Sequence, residues 1–140
     1  MSKKLHIYTD GASRGNPGPA SFGVCVFDDQ GNLLLEKNGT LGKTTNSIAE
    51  YSALICALEE AKKIGAEDLK IFTDSELVAK QFAGIYRVKD EKLKELMGKV
   101  RDLEKDYQVV TVTHIPRSSH PGNVRADQLA NIALNREASS

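Results

Sequence analysis

Tryptophan is absent from this 140-residue chain, and cysteine occurs only twice, at Cys25 and Cys56. Two cysteines cannot build a disulfide framework. Their neighbours Val24, Val26 and Ala57 are apolar, so both read as buried thiols kept reduced in a reducing compartment. No apolar run approaches the ~18 residues that a membrane span requires. The opening "MSKKLHIYTD" carries basic residues but no apolar segment behind them. No secretory signal is expected, and the cytoplasm is the default location. Net charge is missing too, because 19 Lys and Arg balance 19 Asp and Glu. That excludes a global positive field for drawing in a polyanion, so any such ligand must be held by local contacts. The remainder, 40% apolar and 27% charged, is an ordinary globular composition. A chain of this length forms one domain and buries about two-thirds of its unfolded surface.

What is present is a near-repeat: "LHIYTD" at 5–10 returns as "LKIFTD" at 69–74. Alternating apolar positions make each copy a strand that ends on a carboxylate. "GASRGNPGPA" reads as a Gly/Pro turn, "SFGVCVFD" as a second strand, "DDQGN" as a hairpin turn and "LLLEKNGTL" as a third strand. The period then changes. Ile48, Tyr51, Ile55 and Leu58 recur at helical spacing, with Thr45 or Asn46 as the cap and Gly65 as the stop. After the second copy come a short helix ending at Gly84, an amphipathic helix through Leu93, Leu96, Met97, Val100 and Leu103, a fifth strand "QVVTVTHI", and a last helix "VRADQLANIALNR". Hairpins favour antiparallel pairing of the first three strands, and helical crossovers favour parallel pairing of the rest. The expected fold is α/β: a mixed five-stranded sheet with helices on both faces. No linker, low-complexity tract or solenoid repeat divides it. One domain is expected over residues 1–136, with 137–140 as a frayed tail.

If the two repeat strands lie parallel, adjacent and in register, Asp10 and Asp74 emerge side by side about 4.8 Å apart. That is the sheet edge at which α/β folds bind ligands. Two ionised carboxylates so close repel unless a cation lies between them. Either Asp alone would read as a strand-ending turn residue or a helix cap; the repeat favours a site. Glu50 falls early in its helix, where a carboxylate also complements the helix dipole, but it sits at the edge of the apolar stripe. Asp127 opens the last helix between Ala126 and Leu129, where a solvated face is not expected. Four such acids can hold two hard, oxygen-liganded divalent cations such as Mg²⁺. Paired ions of that kind suit in-line phosphodiester displacement.

"YTDGASRGNPGPASFG", "TTNSIAEYSALICAL", "IFTDSELVAKQ" and "HPGNVRADQLAN" together resemble type 1 ribonuclease H, in the family's order and over nearly the whole chain. The resemblance implies the ribonuclease H-like fold and hydrolysis of the RNA strand of RNA–DNA hybrids to 5′-phosphate and 3′-hydroxyl ends. It implies a catalytic and metal-binding set at Asp10, Glu50, Asp74 and Asp127, with two Mg²⁺ ions for which Mn²⁺ can substitute. It further implies substrate contacts at Gly11, Asn16, Lys43, Thr45, Asn46 and Glu76. Asn16 matches a contact near the RNA 2′-hydroxyls, Thr45 with Lys43 a DNA-phosphate pocket, and Asn46 a minor-groove contact. Ordinary N-capping by Thr45 or Asn46 is compatible with those roles. The expected partner is the hybrid; no protein partner or membrane is implied, and a monomer is expected.

The chain departs from the family pattern in two places. Many relatives insert a basic, Trp-containing handle after the short helix; here that stretch is the compact "YRVKDEKL", and weaker hybrid affinity is the expected consequence. Glu76 stands where many relatives have Gln. In the loop before Asp127, counting back from "HPGN" puts Arg117 where many relatives place a proton-handling histidine, with His120 three residues on. Arg117 cannot act as a base at neutral pH but can hold a phosphate. His120 is the rival for the catalytic role and reads more simply as a loop residue, while His6 and His114 read as structural. A relative that also cuts double-stranded RNA or RNA–DNA junctions, and an inactive hybrid-binding module, are the alternative readings.

Overall fold

The computed structural model describes residues 3–138. The chain runs β1 (Lys4–Ser13), β2 (Gly18–Asp28), β3 (Leu33–Thr44), α1 (Asn46–Ile64), β4 (Asp68–Thr73), α2 (Glu76–Phe82), α3 (Glu91–Glu104), β5 (Val109–His114) and α4 (Pro121–Ala138). Its strands form one five-stranded sheet in the order β3-β2-β1-β4-β5. β1 with β2 and β2 with β3 are antiparallel, whereas β1 with β4 and β4 with β5 are parallel. The repeated hexapeptides are neighbours in register: Leu5 faces Leu69, Ile7 faces Ile71 and Thr9 faces Thr73.

Strand alternation sends the two repeats' side chains to opposite layers. Leu5, Ile7, Leu69 and Ile71 join Val24 and Val26 beneath Tyr51, Leu54 and Leu58 of α1 and Leu96 and Val100 of α3. Each fully buried aliphatic side chain there contributes ~1.5–3 kcal/mol relative to exposure. On the other face, Tyr8 and Cys25 pack against Ala126 and Leu129 of α4. Both cysteines are buried free thiols. Among the described residues no helix is long and apolar enough to cross a membrane. The caps of α1 follow the sequence: Thr45 Oγ1 accepts the Ile48 N–H at 3.2 Å, and Gly65 ends the helix in the left-handed region.

Among the boundaries that differ from the sequence reading, three bear on the site and the last helix. β1 does not stop at Asp10, because its pairing with β2 continues to Ser13 opposite Ala20. The expected turn shrinks to residues 14–17, and Asp10 lies inside a strand. Gly11 serves close packing there, since a Cβ would stand 2.4 Å from the Glu50 nitrogen. α4 starts at Pro121 instead of Val124. A proline's fixed φ and missing N–H suit the first helical position, and the Val124 N–H reaches the His120 carbonyl at 3.0 Å. Asp127 therefore sits in the second turn instead of opening the helix. At the far end α4 continues to Ala138, so Glu137 and Ala138 of the expected tail are helical. Ser139 and Ser140 lie outside the described residues.

The approach of α4 is set at Gly23, which pairs with Asp10 across the β1–β2 ladder. A Cβ at Gly23 would lie 2.1 Å from the Ala126 carbonyl oxygen. This contact brings the second turn of α4, with Asp127, over Asp10. Gly23→Ala should therefore cost roughly 1–3 kcal/mol of stability, as overpacking does, measured as a lowered urea midpoint. An unchanged midpoint would contradict this packing.

Candidate active site

Each acid arrives on a different element. Asp10 comes from the middle of β1, Glu50 from the second turn of α1, Asp74 from the residue after β4, and Asp127 from α4. Asp10 and Glu50 are each 5% exposed, and Asp74 and Asp127 are half-buried. Oxygens of Asp10, Glu50 and Asp74 all lie within 4.8 Å of one another. Asp127 stands outside that triad but within hydrogen-bonding reach of the Asp10 carboxyl. The Gly11 N–H donates to Glu50 Oε1 and fixes its carboxylate. Two helices and two strands thus converge on one point, because the parallel repeat places Asp10 and Asp74 together and Gly11 and Gly23 admit α1 and α4.

The electrostatics follow from that crowding. Burial pushes the Asp10 carboxyl far above the ordinary carboxylate range, and the Glu50 charge, the Asp127 hydrogen bond and the Asp74 and Asp127 charges push the same way. Glu50 is raised to about 8, by burial first and then by Asp74, with Asp127 adding and the Gly11 N–H opposing. Such a cluster needs either protons or cations to exist. Its donors are hard carboxylate oxygens, which suit Mg²⁺ or Mn²⁺. Among the described residues, no second group of three His, Cys, Asp or Glu side chains converges in this way.

The acids line a cavity of about 450 Å³, together with Gly11, Asn46, Arg117 and Asn131. A larger hollow of about 640 Å³, bounded by Asn38, Thr40 and Arg136, lies between β3 and α4 and contains none of these acids. The rim residues are arranged as neighbours. The Asn46 N–H donates to Asn16 Oδ1 at 3.0 Å, so the β1–β2 turn is tied to the start of α1. Thr45 caps α1 beside them, and Lys43 is exposed near the end of β3.

His120 and Glu76 stand elsewhere. The His120 ring stacks on Tyr8, 4.5 Å between centroids and 5° from parallel. Its Nδ1 accepts the Gly122 N–H at 2.9 Å, and it does not line the acidic cavity. Glu76 accepts from Lys80 Nζ at 2.8 Å and from the Tyr86 hydroxyl at 2.9 Å, which occupies the carboxylate locally. Four cavity residues, Ala12, Ser13, Ser75 and Asn131, were not singled out from the sequence. Ser75 caps α2, and Asn131 donates to the Asp127 carbonyl at 3.0 Å and to its Oδ1 at 3.4 Å. The spacing of Asn131 from Asp127, one helical turn on the same face, was the available signal.

The sheet order, the parallel repeat and the convergent acids define a ribonuclease H-like domain. A family model described as "Reverse transcriptase-like" matches residues 8–133. The ribonuclease HI of Halobacterium salinarum is 43% identical over 94% of this chain and 64% of its own length. The crystal structure of RNase H1 from that archaeon superposes with a TM-score of 0.90 at 42% identity, covering 95% of this chain and 98% of that one. The N-terminal RNase H domain of Rv2228c from Mycobacterium tuberculosis gives a TM-score of 0.92 at 37% identity, covering 99% and 98%. LC11-RNase H1, solved in complex with an RNA/DNA hybrid, gives 0.90 at 40% identity, covering 96% and 99%. The chain belongs to the type 1 ribonuclease H family. It spans 64% of the full Halobacterium salinarum protein and 37% of the full Rv2228c protein.

Proposed function

We propose that the protein is a metal-dependent endoribonuclease that hydrolyses the RNA strand of RNA–DNA hybrids, leaving 5′-phosphate and 3′-hydroxyl ends, and works as a monomer in the cytoplasm. The observation that carries this reading is the convergence of three acid side chains within 4.8 Å, with Asp127 beside Asp10. A module that only bound hybrid would gain nothing from assembling mutually repelling carboxylates. In this reading Asp10, Glu50, Asp74 and Asp127 hold two Mg²⁺ ions, or Mn²⁺ in their place. Bound there, such ions would activate water and stabilise the leaving oxygen.

The chain's own groups supply the rest. Gly11 holds Glu50 in place through its N–H. Asn16 and Asn46, joined by their hydrogen bond, meet the hybrid where RNA exposes its 2′-hydroxyls. Thr45 and Lys43 receive a DNA phosphate at the start of α1, where helix N–H groups favour anions. Glu76 reaches the hybrid only by giving up Lys80 and Tyr86. The direct test is end-group analysis of cut hybrid: a kinase should label the new 5′ ends only after phosphatase treatment. Hybrid that binds but stays intact in both Mg²⁺ and Mn²⁺ would establish a binding module instead.

The loop before α4 gives a separate prediction. Arg117 lines the cavity, and as a fixed cation it steadies the scissile or departing phosphate. His120 is held by Tyr8 and Gly122. Arg117→Ala should therefore lower turnover substantially more than His120→Ala. His120→Ala should also leave the acidic limb of the pH–rate profile unchanged. A larger loss at His120, with that limb abolished, would reverse the assignment.

A further inference from the structure

Asn123 lies in the first turn of α4 and is 2% exposed. Among the described residues its side chain makes two hydrogen bonds, one to the backbone beside Arg117 and one to Asp74. Oδ1 accepts the Ser118 N–H at 2.5 Å, and Nδ2 is directed at Asp74 Oδ2 across a long 3.5 Å. Ser118 is the residue after Arg117, and it holds a left-handed φ of 59°, a conformation rare for residues other than glycine. The turn around it closes when the Ser119 N–H reaches the Pro116 carbonyl at 3.2 Å.

The chemistry selects an amide at this position. A backbone N–H can only donate and an ionised carboxylate can only accept. A buried side chain between them must therefore accept at one end and donate at the other. Aspartate would set a further negative charge against Asp74, and a hydrocarbon would leave both groups unpaired. An amide serving only to cap α4 would have no reason to face Asp74.

We infer that Asn123 is a positioning residue, whose one amide sets both the Asp74 carboxylate toward its metal and the backbone that carries Arg117. This rests on the metal-dependent reading above. Ligand carboxylates are commonly oriented by such outer hydrogen bonds, whose loss costs about 10–100-fold in metal affinity or activity.

The test uses metal binding as well as cleavage. Calorimetric titration of wild type with Mn²⁺, without substrate, comes first and establishes the metal site independently. Asn123→Ala should then raise the Mn²⁺ dissociation constant about tenfold or more. It should lower kcat for hybrid while leaving KM within about twofold, because Asn16, Thr45 and Asn46 are untouched. In an Arg117→Ala background its effect on kcat should shrink, since part of it runs through that arginine. Asn123→Leu, which keeps the branched four-atom shape but removes the amide, is the second variant if the alanine variant does not fold. In wild type, the Asn123 side-chain amide resonances should shift as Mg²⁺ is added, which needs no variant. A wild type that binds Mn²⁺ and cleaves, paired with a folded Asn123→Ala protein of unchanged Mn²⁺ affinity and reduced stability only, would overturn the inference. So would amide resonances that ignore Mg²⁺ while Asp74 responds.

Discussion

Asp10→Asn and Asp74→Asn should each lower single-turnover cleavage of an RNA–DNA hybrid by on the order of 10³-fold, while hybrid binding survives. The substitution keeps the side chain's shape and removes one charged oxygen from the group that lies within 4.8 Å. The proposed substrate contacts stand on other elements: Asn16 in the β1–β2 turn, Thr45 and Asn46 at the head of α1. Fluorescence anisotropy with a labelled hybrid measures binding, and a quenched-flow time course measures cutting. Asp10→Asn should also stabilise the metal-free protein at neutral pH, because burial and three neighbouring acids oppose ionisation at that position. Full cleavage by either variant would remove these carboxylates from the chemistry.

Stripped of divalent cations, the protein should lose stability as pH rises, and Mg²⁺ should return it. Glu50 keeps its proton to about 8 in the folded chain, against an ordinary 4.5, and Asp10 is raised in the same direction. The folded state therefore binds more protons than the unfolded state between those limits. Stability from these groups is complete below about pH 4 and is lost as pH climbs through the folded values. A cation that binds only the folded, deprotonated cluster stabilises by ~2.7 kcal/mol at a hundredfold excess over its Kd, or roughly 5–10 °C for a chain of this size. The gain in Tm on adding Mg²⁺ to EDTA-treated protein should therefore be small at pH 5 and large at pH 8. Asp10→Asn should shrink it. A gain that is absent, or equal at both pH values, would mean that the acids do not form a linked cation site.

The repeat in "LHIYTD" and "LKIFTD" made the heart of this site legible, because a parallel pair in register leaves little freedom for where Asp10 and Asp74 fall. The helix of Glu50 was equally plain, since Thr45 and Gly65 punctuate it. The length of β1 was hidden by the glycines and prolines of residues 11–19, which look like a turn locally. Only pairing with β2 shows that Gly11 belongs to a strand and makes room for the backbone of α1. Pro121 disguised the start of α4 in the same way, and Asp127 was read one turn too early. Glu76 could have been read better: Lys80 stands four residues on, the spacing of a helical ion pair. Tyr86 could not, because its hydroxyl reaches Glu76 only through the fold. Asn123 gave no signal. A lone asparagine beside Pro and Gly suggests a loop, and its burial depends on how the 115–120 segment closes over it.

The most direct measurement sets matched substrates of one sequence side by side: RNA–DNA hybrid, RNA duplex and DNA duplex, each with Mg²⁺, with Mn²⁺ and with EDTA. The expected result is cutting of the RNA strand of the hybrid alone, with either metal, and no cutting in EDTA. Cleavage of the RNA duplex as well would mark a broadened specificity. Cleavage of the hybrid in EDTA, or of the DNA duplex in preference to it, would contradict a metal-dependent enzyme that reads an RNA strand paired with DNA.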